Sequence, residues 1–341
     1  MKKVFCLLTN LLLVCIFCFA CTTGQNRNQL IKIRDNSLCE NKESYREVPK
    51  TIDLLTWNIG YAALGANADF IADGGKSLFP SDKKIIFSNF LDIASCLREI
   101  NPDIIFFEEM AGNSDLTKGI DLFNDMHKAL PQYEYLYYSP QYANYLLFIH
   151  INIGNALFSK IRFSDVSILG LGNVRQHPLG PEEFQHFMKA RIRIAPDKEL
   201  VLYLVHLTAF DSRAEIRLKH LSLLKDDIIS EKAAGNYVLC AGDWNLRLVN
   251  TDFPHTTEQK YLNWIFDLPA AFTPPGWKWH IDPAVPTVRT LEHPYREGEN
   301  YTTIIDGILT SPGIVVHSCE TLDFKFRNSD HNPVYIRFSY E

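Results

Sequence analysis

The chain has 341 residues, 46% of them hydrophobic, and a formal net charge of −6 at pH 7. That length and apolar fraction suit one large α/β domain or two small ones with an ample core. No basic stripe accompanies the negative charge, so bulk electrostatics disfavour tight non-specific binding to nucleic acid, although a bound metal ion can supply positive charge locally.

In chain order, Lys2 and Lys3 precede an apolar run from Val4 to Ala20, broken by Thr9 and Asn10. This is the form of a secretory signal, too short and impure for a permanent transmembrane helix. It ends Cys18-Phe19-Ala20-Cys21-Thr22-Thr23-Gly24, which looks like a relaxed bacterial lipobox with Cys18 where Leu is usual. Residues 1–20 are therefore read as a lipoprotein-like signal peptide, with membrane attachment through a lipidated Cys21, ahead of plain secretion or an uncleaved anchor. Cleavage removes two lysines and takes the charge from −6 to −8. Residues 21–50 are polar and mixed in charge and read as a tether. Cys6, Cys15, Cys18 and Cys21 lie in the signal; Cys39, Cys96, Cys240 and Cys319 are irregularly spaced without a CxxC pair, which argues against zinc. Cys96 and Cys240 sit in apolar runs and read as buried thiols.

The globular domain is expected over 51–341. Ile52 to Asn58 reads as a strand, and Gly60 to Pro80 as a loop. Ser81 to Ile100 reads as a helix capped by Ser81 or Asp82. Asn101-Pro102-Asp103 stops it and opens the strand that delivers Glu109. Ser114 to Leu130 is expected to be a second helix. Strands are expected at Tyr133–Tyr138, Tyr145–Ile149 and Asn155–Ser159, continuing through Ile161–Leu169. Residues 170–187 read as loop, and Met188–Ile194 with Leu200–Leu207 as a hairpin. Ser212 to Ala233 reads as a long amphipathic helix with Ile216, Leu218, Leu221, Leu223, Leu224 and Ile228 on its apolar side. The strand into Asp243 follows. Thr256–Phe266 is expected to be helical, 268–300 to be a long functional or mobile loop, and strands to fall near 302–310, 313–318 and 333–339. Strand runs with helices between some of them point to two packed sheets flanked by helices.

Several of these apolar strands end in an acid, amide or imidazole: Leu54 to Asn58, Ile104 to Glu109, Leu202 to His206, and Val238 to Asp243 with Asn245 beyond it. Ile304 to Leu309 carries Asp306 mid-strand, and Ser329-Asp330-His331 stands just before the last strand. Strand ends converging on one sheet edge are a standard way to build a site. Asp243 and Asn245, two apart, would face one target if both lie on a strand, although Gly-Asp and Asn are also turn residues. Glu109 ends a run buried on both faces, where a carboxylate needs a partner or a metal; as an ordinary strand-end acid it would face solvent. Hard oxygen ligands together with Asn58 suit Mg²⁺ or Mn²⁺ rather than zinc. Glu108 alternates with Glu109 and is expected to face a helix or solvent. A lone His at a strand end, as His206 and His331 each are, is more often a packed or hydrogen-bonded residue than a catalyst, yet imidazole titrates near neutral pH and pairs well with a carboxylate; Asp306 needs a partner, and His331 is the one assigned to it.

Together and in order these motifs resemble the endonuclease/exonuclease/phosphatase family, over about residues 51–341. Thr56-Trp57-Asn58, Glu108-Glu109, Val205-His206-Leu207, Gly242 to Asn245, Ile305-Asp306 and Ser329 to His331 carry the resemblance, with Glu108 in place of the usual Gln and Val205 in place of the usual Thr. No clear counterpart of the Tyr-x-Pro-Asn motif of abasic-site endonucleases stands between Gly154 and Leu207. The resemblance implies a four-layer αββα sandwich of two mixed β-sheets with the site at one end. It also implies that Asn58, Glu109 and Asp330 hold Mg²⁺ (or Mn²⁺), that Asp243 and Asn245 position a water, that Asp306 orients His331 as base or phosphate binder, and that His206 binds phosphate. The expected activity is an exported phosphoesterase acting as a monomer on a phosphate ester: nucleic acid, phospholipid headgroup or sugar phosphate. Arg175, Lys189, Arg191, Arg193, Arg213 and Arg217 could line a nucleic-acid groove or simply cover strand and helix surface. Pro274 to Trp279 could anchor at a membrane or fold over the core. A surface-binding lipoprotein without turnover is the remaining reading.

Overall fold

A computed structural model describes residues 31–32, 48–79, 81–146, 149–174, 183–209 and 213–341. The signal peptide, Cys21, most of the tether and Arg175 lie outside the described residues. In chain order the elements are β1 Ile31–Lys32, β2 Thr51–Asn58, α1 Lys83–Ile100, β3 Ile104–Ala111, α2 Leu122–Ala129, β4 Tyr135–Leu146 and β5 Ile149–Ser159. Next come β6 Asp165–Val174, β7 Glu183–Ala195, β8 Lys198–His206, α3 Glu215–Ala233 and β9 Tyr237–Asp243. The chain finishes with β10 Lys278–His280, β11 Val288–Arg289, β12 Thr302–Thr303, β13 Asp306–Thr310, β14 Ile314–Thr321 and β15 Val334–Tyr340.

The strands form a seven-stranded sheet in the order β1-β4-β5-β3-β2-β15-β14 and a six-stranded sheet in the order β10-β13-β9-β8-β7-β6. Each contains one parallel pair, β2/β3 and β8/β9, joined through α1 and α3 respectively. All other pairs are antiparallel, so both sheets are mixed. Alternation along the strands builds the layers. In β2, Ile52 and Leu54 face the second sheet, while Leu55 and Trp57 face α1. In β9, Leu239 and Ala241 face the first sheet, while Val238 and Cys240 face α3. Both faces being covered explains why these runs are almost continuously apolar. The fold is an α+β sandwich with helices outside two packed sheets.

Local chemistry sets the boundaries. Asp82 caps α1, its side chain accepting from the backbone N–H of Lys84 and Ile85. The expected helix over Ser114–Leu130 shrinks to α2, because Thr117 Oγ1 donates to the carbonyls of Ser114 and Ile120 and Gly119 takes φ +78°, folding this stretch into turns. The separate strands expected between 133 and 159 are one long hairpin, β4–β5. Residues 170–187 are strand at both ends, with Gly170 and Gly172 flanking a bulge in β6. Thr256–Phe266 holds only a 3-10 turn at Gln259–Tyr261; Thr257 Oγ1 accepts from the N–H of Tyr301, tying the segment across the fold instead. On α3 the buried side chains are Leu221, Leu224 and Ile228 with Arg217, His220 and Glu231, whereas Leu218 and Leu223 are exposed. Cys240 is buried as expected, but Cys96 is half-buried.

The 268–300 segment packs against the core rather than running as a plain loop. It carries β10, which pairs with β13, and β11, which pairs with β12. Trp277 is buried, and Trp279 packs on Trp244 at a ring-centroid distance of 4.8 Å. Asp306 is not mid-strand: it opens β13, after the chain leaves β12 and crosses to the second sheet.

Candidate active site

The two parallel pairs end on one edge of the sandwich, and that edge is where the polar side chains gather. The C-terminal ends of β2, β3, β8 and β9 deliver Asn58, Glu109, His206 and Asp243. The antiparallel neighbours arrive from the opposite direction, so their starts fall at the same edge: Asp306 opens β13 directly opposite Asp243, and Asp330 and His331 precede β15. Asn58, His206, Asp243, Asn245, Asp306, Asp330 and His331 are all buried; Glu109 is half-buried. A cavity of about 320 Å³ is lined by Glu109, His206, Asp243, Asn245, Asp330 and His331 together with Tyr61, Gln141, Tyr142, Glu183 and Arg289.

Backbone exceptions aim these groups. Glu109 stands at a β-bulge where the register moves from Phe107↔Ala156 to Met110↔Gly154, with φ +53°. Gly242 takes φ +141°, and a Cβ there would lie 2.0 Å from the carbonyl of Val205, so only glycine lets β8 and β9 pair this closely beside the site. Asn245 is not on the strand as expected. It takes φ +47° in a turn, its N–H donating to Asp243 Oδ1 (2.8 Å) and its side chain to Asp243 Oδ2 (3.2 Å) and to the carbonyl of Leu207 (2.7 Å). The turn reading and the site reading both hold. Trp57 Nε1 donates to the carbonyl of His331 (3.0 Å), and Ser329 Oγ donates to the carbonyl of Asn58 (2.7 Å), tying the last loop to β2.

His331 Nδ1 lies 2.9 Å from Asp306 Oδ2, the proposed pair, and its Nε2 lies 3.8 Å from Asp243 Oδ2. Burial works against charge on His331, but the carboxylates of Asp306, Asp243 and Asp330 outweigh it and hold the imidazole well above its ordinary range. His206 differs. Its Nδ1 is 2.9 Å from the amide oxygen of Gln141 and its Nε2 3.9 Å from Asp243. Burial first, then the neighbouring His331, pulls it down to about 3, so it is neutral at physiological pH. Asn58 Nδ2 donates to Asp243 Oδ2 (3.1 Å) and to Glu109 Oε1 (3.4 Å). Burial and the Asp330 charge push Glu109 up to about 8; burial and Asp306 push Asp243 up to about 7; Asp330 is raised by burial against the pull of His331 and Arg289. Burial first, and for Glu109 and Asp243 the neighbouring carboxylates, raise these groups by more than His331 and Arg289 offset. A hard cation answers that imbalance, and the oxygen donors fit Mg²⁺ or Mn²⁺. The tightest acid–imidazole cluster among the described residues is Asp243, Asp306 and His331, with ligand atoms within 4.8 Å of one another.

The family model described as the Endonuclease/Exonuclease/phosphatase family matches residues 55–331. The chain belongs to this family. Solved structures agree on the fold. An endonuclease/exonuclease/phosphatase from Beutenbergia cavernae DSM 12333 is 15% identical with a TM-score of 0.54, covering 86% of this chain and 72% of that one. One from Bacteroides vulgatus is 16% identical (TM-score 0.54), covering 86% of this chain and all of the other. D. rerio TDP2, complexed with single strand DNA product, is 14% identical (TM-score 0.54), covering 85% of this chain and all of that one. No curated protein sequence matches the chain.

Two family positions depart from the pattern, and one corrects the sequence reading. Glu108 faces neither a helix nor solvent: it is fully buried under the site, accepting from Thr56 Oγ1 (2.8 Å), and burial holds its carboxyl well above the usual range. Val205 packs with the α3-facing cluster. Sequence reasoning missed Tyr61, Gln141, Tyr142, Glu183 and Arg289, and it placed Arg217 in a groove or on the surface, whereas Arg217 is fully buried. Tyr61 sits in a run of positive φ from Gly60 to Ala62 directly after Asn58. Arg217 donates to the carbonyls of Asn245 (2.5 Å) and Trp264 (3.1 Å), and an arginine inside an apolar helix face was its signal. Arg289 donates to the carbonyls of Leu64, Gly65 and Thr290, pinning the loop after β2 to the loop before β12.

Proposed function

We propose that the protein is an exported, divalent-cation-dependent phosphoesterase that hydrolyses a phosphodiester, or a phosphomonoester, by in-line attack of water. The observation that carries this reading is the meeting of carboxylates, imidazoles and one amide from six strand ends at one edge of the sandwich, beside one cavity. Asn58, Glu109 and Asp330 would hold Mg²⁺ or Mn²⁺. When bound, the cation supplies Lewis acidity and offsets phosphoryl charge. Asp243 and Asn245 hold the attacking water, and Asp243, raised to about 7, is matched to accept its proton near neutral pH. His331, fixed by Asp306, binds a phosphoryl oxygen as an imidazolium and is placed to serve as a base once it loses its proton. Neutral His206, held by Gln141, adds a fixed ring to the phosphoryl side. The phosphorus–oxygen bond to the alcohol breaks as the bond to water forms.

The substrate class stays at phosphate esters. The single strand DNA product on D. rerio TDP2 makes a nucleic-acid end one candidate. Against a basic groove, Lys189 pairs with Asp227 and Glu231, Arg191 with Glu199 and Glu231, and Arg217 is buried. Against a membrane anchor at 274–279, Trp277 and Trp279 pack inward. The test is hydrolysis of plasmid DNA, RNA, sphingomyelin and inositol phosphates by the purified protein with Mg²⁺. Chelator-sensitive turnover of one class by wild type and not by His331→Ala supports the reading; a protein that binds but turns over nothing is the surface-binding alternative. Attachment through Cys21 rests on the Lys2–Cys21 sequence. It predicts incorporation of a labelled fatty acid that Cys21→Ala abolishes.

A further inference from the structure

One wall of the cavity takes no part in the mechanism above beyond holding His206. Strand β4 is bulged there: the register passes from Pro140↔Gly154 to Tyr142↔Ile153, leaving Gln141 as the extra residue. On a regular strand Gln141 and Tyr142 would face opposite sides; with the bulge between them, both line the cavity. Gln141 is 3% exposed, its oxygen is taken by His206 Nδ1, and its amide nitrogen has no partner. The Tyr142 hydroxyl is hydrogen-bonded to Glu183, the first residue of β7, which is itself 4% exposed.

We propose that Gln141, Tyr142 and Glu183 form the subsite for an uncharged, hydroxyl-bearing part of the substrate; the assignment rests on the phosphoesterase reading. A buried N–H donor and a buried carboxylate acceptor lining one cavity are complementary to a hydroxyl-bearing group, whose oxygens accept from one and donate to the other. An ammonium group meets Glu183 by charge (choline, without an N–H, by charge alone) but offers Gln141 no acceptor. A second phosphate accepts from Gln141 but meets the charge of Glu183, with Glu109 close enough to act on Tyr142 and Asp73 in the same cavity. Leaving a buried polar group unpaired costs more than a matched contact gains, so the pair discriminates by what it cannot satisfy.

The experiment compares kcat/KM, with Mg²⁺, for p-nitrophenyl phosphodiesters whose second ester group is glyceryl, propyl, choline or phosphoethyl. Glyceryl should exceed propyl by about tenfold or more, with choline and phosphoethyl no better than propyl. The glyceryl-to-propyl ratio should fall towards one in both Glu183→Gln and Tyr142→Phe. Equal use of glyceryl and propyl, a preference for choline or phosphoethyl, or a ratio retained in both variants overturns the assignment. If wild type turns over none of the esters, the phosphoesterase reading fails on its own. Calorimetric titration with glyceryl and propyl phosphate then decides the subsite: tighter glyceryl binding that both variants lose upholds it, and equal binding overturns it.

Discussion

Replacing Asp243 by Asn should stabilise the cation-free protein at neutral pH while abolishing turnover. Asp243 is 1% exposed and its folded carboxyl is raised from 3.8 to about 7. Between those values the unfolded chain has released this proton and the folded chain retains it, so the folded state loses stability as pH rises across the window. Some three pH units at 1.36 kcal/mol each amount to about 4 kcal/mol, absent near pH 4 and fully present above pH 7. Buried His206 and His186, lowered to about 3 and about 4, act with the opposite sign, their stabilisation being lost as pH falls. Wild type and Asp243→Asn share those histidines, so their contribution cancels from the difference between the two melting curves. The amide oxygen of the variant can still accept from Asn58 and Asn245, as the protonated carboxyl of the wild type does below pH 7. In chelator, the melting temperature of the variant minus that of wild type should therefore climb by on the order of 10 °C between pH 4 and 7.5. Millimolar Mg²⁺ should erase most of that climb by stabilising the ionised wild type. Differential scanning calorimetry reads both quantities. A difference that stays flat with pH, or one that Mg²⁺ leaves untouched, refutes the claim that crowded carboxylates await a cation.

Three further outcomes follow from the geometry. Asp306→Asn removes the carboxylate 2.9 Å from His331 Nδ1; kcat should drop by about 10²–10⁴ with a melting temperature close to wild type, and unchanged kcat removes Asp306 as the imidazole's partner. Gly242→Ala puts a methyl 2.0 Å from the Val205 carbonyl at φ +141°; urea unfolding should show a loss of roughly 3 kcal/mol or more, and a wild-type midpoint means the β8–β9 spacing yields easily. Arg217→Met strands the carbonyls of Asn245 and Trp264; a stability loss of about 2–4 kcal/mol with reduced kcat is expected, and full activity separates this arginine from the site.

What could be read from the sequence was whatever local pattern encodes. Runs covered on both faces are continuously apolar, so Leu54–Asn58, Ile104–Glu109, Leu202–His206 and Val238–Asp243 announced themselves as strands, and the residue that breaks each run sits where the strand leaves the core. Bulges have no such signature. Period-two reasoning sent Glu108 outwards, because it did not see that the register slips at Glu109; with the slip, Glu108 keeps the inward phase of Ile104 and Phe106 while Glu109 turns into the cavity. The same blindness hid Gln141 and Tyr142. How the 268–300 segment packs was not legible in the sequence because its order comes from distant partners: Arg289 gripping the carbonyls of Leu64 and Gly65, and Trp279 packing on Trp244. The two bulges are one construction. Gly154 pairs with Met110 just past the first and with Pro140 just before the second, and a Cβ on it would lie 2.1 Å from the carbonyl of Ser139. One glycine without a side chain thus lets β3, β5 and β4 distort together. The distortion that turns Glu109 towards the centre of charge also turns Gln141 into the opposite wall, so the position of the charged centre and the shape of the pocket beside it are set by the same backbone slip.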